Sequence, residues 1–419
     1  MKGKWSGKKL AAALAITGML GPVLAVAADD EVDSLLSMVQ KGTVSGYFRT
    51  LYYDMVFDGE TPNRATLGMG GNLGYESASL YGFNFGVGFK TGQGAGLNDK
   101  NDTPYGGMLA QDSHGNLDNY SALDEYYVHY KGYDTSVTLG AHLITTPFLK
   151  GHDLRLTPKK YIGASIINTS IEKLEIHAYY IDKYINWTDE NFQPISSAFT
   201  GKTGDDKGAF IGALVWRAPG DIKIQFWDYY YRDVINETYL KGDFAYALSE
   251  DVKLSLDLRY FTMHDTGDGL DRGISTYTTG AIATMEGYGF TLSGFAGTNG
   301  DERLITPFGS NKIIIMQIAT LERADEDALA VLLSYDFGRL GVPGLSATTF
   351  YSHFNTPDGG KNSSPDLDEV NVALRYKLSG WAEGCSLALR YAQGEYDHGN
   401  YGVRGDDYKD YRVEFEFRF

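Results

Sequence analysis

Cysteine is nearly missing from this chain, with one residue in 419. That excludes a disulfide framework and any zinc or iron–sulfur site built on cysteines. Long apolar runs are missing too, apart from one at the extreme N-terminus, and the mean hydropathy is −0.28. A bundle of membrane helices is therefore excluded. Basic residues are in deficit, 37 against 54 acidic ones, for a formal charge of −17. This argues against broad electrostatic binding to nucleic acid. The eight histidines lack any H-x-x-x-H or H-E-x-x-H spacing. His152 beside Asp153 has no serine in a G-x-S-x-G turn to complete a triad. Gly201-Lys202-Thr203 has Ser196 where a phosphate loop has its leading glycine. Gly92-Gln93-Gly94-Ala95-Gly96 opens a long loop rather than a strand–helix turn. Asp265, Asp268 and Asp271 are spaced by three, unlike a calcium loop. Neither an enzyme nor a resident cofactor is expected.

What is present begins with an address. Lys2, Lys4, Lys8 and Lys9 precede a mostly apolar stretch at 10–24, closed by the small-x-small run Ala25-Val26-Ala27. Residues 1–27 read as a secretory signal peptide. No cysteine follows for lipidation and no arginine pair precedes, so the general secretion route is expected. Loss of those four lysines leaves a chain more acidic still. Residues 28–42 read as a short periplasmic segment. Within it, Val32, Leu35, Leu36 and Val39 are spaced as one face of a helix over 29–40, ended by Gly42.

From residue 43 to residue 419 the pattern is period two. Tyr411, Val413, Phe415, Phe417 and Phe419 alternate with Arg412, Glu414, Glu416 and Arg418. One face is apolar and aromatic, the other charged. The same alternation runs through Val252–Tyr260, 329–337, 370–377 and 387–392. Alone it fits either a soluble sandwich or a membrane barrel with lipid outside and a wet lumen inside. The connections decide. Counting back from Phe419 gives about 18 segments, near the ~10 residues a tilted membrane strand needs. One set of connections is short, around 380–384, 339–344, 286–289, 249–252, 218–221, 171–173, 132–134 and 76–81. The interleaved set is mostly long, around 396–407, 355–366, 298–326, 186–207, 145–163 and 91–121. A barrel with periplasmic turns and extracellular loops requires this sorting; a sandwich does not. The composition agrees, with 51 Gly, 31 Tyr, 21 Phe and 5 Trp. The fold expected is all-β, a transmembrane antiparallel barrel in the bacterial outer membrane, with lipid as its outer partner.

Two stretches resemble a known family. Residues 146–163 carry Pro147, then Asp153-Leu154-Arg155-Leu156-Thr157-Pro158, then Tyr161 and Gly163. This resembles the third loop of the OprD-type porins. Gly42-Thr43-Val44-Ser45-Gly46-Tyr47-Phe48-Arg49 is similar to that family's first strand. The resemblance implies an 18-stranded barrel, a third loop folded into the lumen, and passage of small, often carboxylate-bearing solutes past wall arginines. Lys159 and Lys160 depart from the family's usual pair at that place, which puts the substrate in question. An alternating strand ending on Phe419 also resembles the signal read by the barrel-assembly machinery, an expected partner.

Charged groups on the lipid face cost about 2–4 kcal/mol near mid-bilayer, so strand arginines point inward. Arg375, Arg390 and Arg412 lie on three adjacent strands, and Arg49 on the first strand joins them when the barrel closes. Arg259 follows the same rule. The four could form a basic arc, or they could be cross-strand salt bridges with Glu414, Glu416 and Glu369. The loop at 146–163 is unlike the other long loops, which are rich in Gly, Asn and Asp and read as exposed. It carries Phe148, Leu149, Leu154, Leu156, Tyr161 and two prolines. Such groups gain about 25 cal/mol per Å² by packing on the inner wall. The loop is expected to form the narrowest point, with Asp153 facing the arc and Lys150, His152, Arg155, Lys159 and Lys160 beside it. The function expected is a diffusion channel for small hydrophilic solutes. Two rivals are a barrel sheath around a redox partner and an outer-membrane hydrolase.

Overall fold

Each alternating segment has one face suited to hydrocarbon and one suited to polar partners, so it is stable only in a sheet that separates the two. The computed structural model describes residues 31–96, 98, 103–202, 207–268, 270, 273–397 and 405–419. Among them eighteen long strands form one closed antiparallel sheet. They are β1 (Thr43–Phe57), β2 (Arg64–Glu76), β3 (Phe83–Gln93), β4 (Tyr120–Gly132), β5 (Thr135–His142) and β6 (Lys160–Ile171). Next come β7 (Leu174–Ile185), β8 (Ala209–Ala218), β9 (Ile222–Tyr231), β10 (Ile235–Ala247), β11 (Val252–Asp265) and β12 (Ser275–Gly287). The last are β13 (Phe290–Asn299), β14 (Asp327–Asp336), β15 (Leu345–Asn355), β16 (Leu367–Lys377), β17 (Cys385–Tyr396) and β18 (Tyr408–Arg418). Each pairs with the next, and β18 returns to β1 from Tyr47↔Arg418 to Phe57↔Tyr408. The expected barrel of about 18 strands is the one that forms. The signal-peptide reading lies outside the described residues, as do Asp271 and Thr203.

The two faces separate as the alternation predicts. On β18, Tyr411, Val413, Phe415 and Phe417 are 37–44% exposed on the outside. Asp410, Arg412 and Glu416 are buried on the inside. At one end of the barrel every connection is short. Tyr133-Asp134 and Tyr288-Gly289 are two-residue turns with positive φ at both positions, the geometry whose twist matches paired strands. At the other end the connections are mostly long, the short ones being residues 58–63 and 232–234. Residues 232–234 join β9 to β10 directly, with Val234 N bonded to Tyr231 O at 3.0 Å. Val234 is buried and its carbonyl accepts from Thr266 N, so the neighbouring loop roofs this turn.

The first helix is shorter than expected, Leu35–Gln40, because Ser34 caps it by accepting from Ser37 N at 3.2 Å. Val32 and Met38 pack beneath the 77–82 turn, while Leu35, Leu36 and Val39 stay exposed.

The lumen at the long-loop end is filled by two apolar clusters. One joins Ile144, Phe148 and Leu149 to Ile195, Leu304, Phe308 and the inner faces of β7 to β11. The other joins Leu156 to Tyr105, Met108, Ile313, Ile314, Met316 and the inner faces around β1 and β14 to β16. Thus the loop at 300–326, read from composition as exposed, also packs inside. Its polar ends, such as Asp301, Glu302 and Asp325, mask an apolar middle in which Leu304, Phe308, Ile313, Ile314, Met316 and Leu321 are all buried.

Candidate functional site

Loop 143–159 is seated by apolar contacts first. Phe148 stacks on Phe261 of β11 with centroids 4.0 Å apart, and Tyr229 and Tyr239 meet it edge-on. Leu149 and Leu156 are fully buried. Leu156 fits against Gly68 of β2, where a Cβ would come 2.9 Å from its methyl carbon. Burying each of these side chains contributes about 1.5–3 kcal/mol. The wall glycine and the loop leucine are therefore one feature.

Polar contacts then fix the loop's height. Asp153 takes a bidentate contact from Arg49 of β1, with Nη2 to Oδ2 at 2.7 Å, and Arg418 of β18 lies 3.9 Å away. Arg49 also reaches Glu416 through Nε at 2.5 Å and the Arg155 carbonyl at 2.8 Å. Tyr53 donates towards the Leu154 carbonyl at 3.2 Å and Glu414 at 2.9 Å. Asp153 thus faces the arginines of the wall.

The arc itself is mostly ion-paired. Arg390 meets Glu414 at 2.6 Å, Arg412 meets Asp410 at 2.6 Å, and Arg49 meets Glu416. Arg375 differs. It faces the same side, is exposed, and forms no ion pair among the described residues. Glu369 pairs with no arginine among the described residues. It accepts instead from Ile318 N at 3.1 Å, Ala319 N at 2.6 Å, Asn371 at 2.6 Å and Tyr408 at 2.7 Å. Arg259 is held by Asp257 at 2.6 Å and donates to the carbonyls of Asn311 and Lys312. Its task here is to fasten loop 300–326.

The basic residues of loop 143–159 do not stand free. Lys150 donates to the Ser310 carbonyl at 2.9 Å and Asn311 at 3.0 Å. Lys159 donates to the Pro307 carbonyl at 2.7 Å and lies 4.3 Å from the centre of the Trp187 ring. Arg155 donates to the Gly106 carbonyl at 3.0 Å and lies over Tyr53, Tyr105 and Trp187. His152, at φ 47°, accepts from Trp187 Nε1 through its carbonyl at 2.8 Å. Its ring and the Asp153 carboxylate go to different partners, so the two do not form a dyad. Lys160 is a correction. It opens β6, opposite Ile185, and its ammonium meets Glu125 at 2.5 Å and Asp124 at 3.1 Å on β4. It belongs to the wall because strand pairing begins at Lys160 and takes in the last four residues, 160–163, of the loop expected at 146–163.

Burial dominates the titration of these loop groups. It pushes Lys150 down to about 7, helped by Arg259 and Lys312, and Lys159 down to about 8. His152 falls to about 3 through burial and then Lys159, Lys150 and Arg155. Burial would raise Glu322, but Lys312 and Arg303 outweigh it and hold the carboxyl at about 2.

Some wall residues escaped the sequence reading. Gln317 at the tip of loop 300–326 meets Asp410 at 2.6 Å and Asn371 at 2.8 Å. Lys241 joins Asp243 and Asp257, and Arg217 joins Glu175, on the opposite wall. Their signal was the same alternation that revealed the arginines, in strands where lysines and acids share the inner face. Trp187 had no signal, since its role depends on three loops meeting.

A closed sheet with an apolar outside, an ion-paired inside and long loops folded onto that inside defines a channel-forming barrel of the outer membrane. The chain belongs to the OprD family of outer membrane porins, whose model it matches over residues 39–418. It is a porin of the bacterial outer membrane and a channel for small solutes. Among solved structures, Pseudomonas aeruginosa OccK9 (OpdG) superposes with a TM-score of 0.82 at 19% identity, over 91% of this chain and 100% of that one. Acinetobacter baumannii OccAB1 gives 0.80 at 17% identity, over 92% and 99%. Pseudomonas aeruginosa OpdK with vanillate gives 0.79 at 18% identity, over 91% and 99%. No curated protein matches the chain in sequence.

Proposed function

We propose that the channel favours small anionic solutes, carboxylates among them, and that it carries out no reaction on them. The observation that carries this reading is the seat of loop 143–159. Its Asp153 is held by Arg49, while Arg375 remains on the same wall, exposed and without an ion pair among the described residues. An exposed wall cation attracts an anion at little cost in desolvation, whereas a paired one must first release its acid. The loop then sets the narrowest passage and Arg375 the sign of the charge that passes it. The loops that occupy the lumen leave little space for a redox partner, which weighs against a sheath. A signal peptide at 1–27 and recognition of the strand ending at Phe419 by the assembly machinery belong to the same reading.

The test is single-channel recording in a planar bilayer under a salt gradient. Arg375→Ala should move the reversal potential towards cations. A variant shortened between Leu149 and Pro158 should conduct severalfold better. If the shortened barrel folds and conducts as the intact one does, the loop is not the constriction.

A further inference from the structure

Most buried cations of the lumen have an acid in contact. Arg49, Lys160, Arg259, Lys312 and Arg412 each meet a carboxylate. Lys150 and Lys159 are equally buried, each 5% exposed, and have none among the described residues. Their ammonium groups bond only to neutral oxygens, those of Ser310, Asn311 and Pro307. They are brought together by the chain. Lys159 N donates to Gly151 O at 2.7 Å, which closes the two legs of loop 143–159, and Lys150 N donates to Phe308 O at 3.3 Å. Both side chains therefore end on one tight turn of loop 300–326, where Gly309 N bonds Thr306 O. Arg155 is the third cation, and among the described residues its contacts are to carbonyl oxygens and aromatic faces.

His152 lies among these three. Its Nδ1 is buried with no hydrogen-bond partner. Gly309 presses against it, and a Cβ there would come 3.1 Å from both the His152 ring and the Lys150 side chain. Proteins neutralise desolvated charge by pairing it, and they seldom leave a buried ring nitrogen unmatched. Three cations surround one unused nitrogen, and among the described residues none of the three has a carboxylate in contact; Asp189 acts on Lys159 only from a distance.

We propose that this junction of loops 143–159, 186–208 and 300–326 binds a small oxyanion between Lys150, Lys159 and Arg155, with His152 Nδ1–H as a fourth donor. The oxyanion is either a free tetrahedral ion or the acid group of a solute approaching from the loop end. When bound, it ties the two inward loops to each other and to Trp187. The site is separate from Arg375 on the wall, and it rests on the porin reading only for the source of its ligand.

The test uses the full chain in detergent, melted at constant ionic strength in chloride, sulfate or acetate. Sulfate also stabilises proteins generally, without saturation. The site predicts an added saturable rise in the melting midpoint. Lys159→Gln should raise the half-saturating sulfate concentration about tenfold, the loss of one charge-assisted contact. Lys150→Met with Lys159→Gln should abolish the saturable part. If the double variant fails to fold, the single variant and His152→Phe carry the comparison. A saturable response to acetate as well as sulfate assigns the site to a solute's carboxylate; a response to sulfate alone assigns it to a free tetrahedral ion. Equal responses of wild type and Lys159→Gln, or no saturable response to either anion, overturn the proposal. Conductance in potassium chloride is read in parallel, so a failure of the channel reading is seen independently.

Discussion

Arg375 and Arg412 face one lumen two strands apart, yet their surroundings make opposite predictions. Arg412 is 4% exposed, paired with Asp410 at 2.6 Å and bonded to Tyr105 at 2.8 Å. Arg412→Ala leaves Asp410 buried without its cation, held only by the neutral donors Gln317 and Tyr105, a loss of about 3–5 kcal/mol. The variant should melt at a markedly lower temperature. Arg375→Ala removes an exposed side chain and should leave the stability within about 0.5 kcal/mol of wild type, with little shift in the melting midpoint, while changing selectivity. Equal effects on stability would mean that Arg375 has a partner in solution. A third case lies in loop 300–326. Glu322 is held at about 2 by Lys312 and Arg303, below its ordinary 4.5. A carboxyl depressed in the folded state adds stability above its unfolded value and loses it as pH falls through the folded one. The loop should therefore keep its hold from neutral pH to about 4.5 and loosen between 4.5 and 2. Channel noise recorded across that range checks this, and Glu322→Gln should bring the noise forward to neutral pH.

At the scale of elements, strands were legible and loop docking was only partly so. A strand such as β18 declares both faces within eleven residues, because hydrocarbon and a wet lumen select opposite side chains. Loop 143–159 was legible because its apolar residues are dense. Loop 300–326 was not, since acids and glycines at its ends outweigh the run Ile313-Ile314-Ile315-Met316. The pairing of Arg390 with Glu414 could be written as one option but not chosen, because register across strands depends on where each turn falls. Lys160 was misplaced for the same reason. The glycine wall also had no meaning until Leu156 lay against it. Gly68→Val would place methyl groups in the space of the Leu156 side chain. It should lift loop 143–159 and raise conductance without unfolding the barrel, as read by single-channel recording and by gel migration before and after boiling. Unchanged conductance would place the loop's effect elsewhere than on β2.

For the whole molecule, closure depends on β1 and β18. Gly46 and Phe419 exchange backbone hydrogen bonds at 3.1 Å each, and Phe419 stacks on Phe417. Deleting Phe419 should reduce the amount of inserted, heat-modifiable barrel while export continues. Equal levels at the cell surface would show that the contact is dispensable. The closing seam has a further consequence, which concerns time. β1 is among the first strands to be made and β18 is the last, and each is the other's partner across eleven residue pairs. Until β18 arrives, β1 waits as an open edge, with a row of amide and carbonyl groups ready to join any other strand it meets. The waiting lasts for the synthesis and export of everything between them. An escort that shields this edge must therefore stay with the chain until the end, and slowing the arrival of β18 should increase aggregation even though every contact of the finished barrel is unchanged.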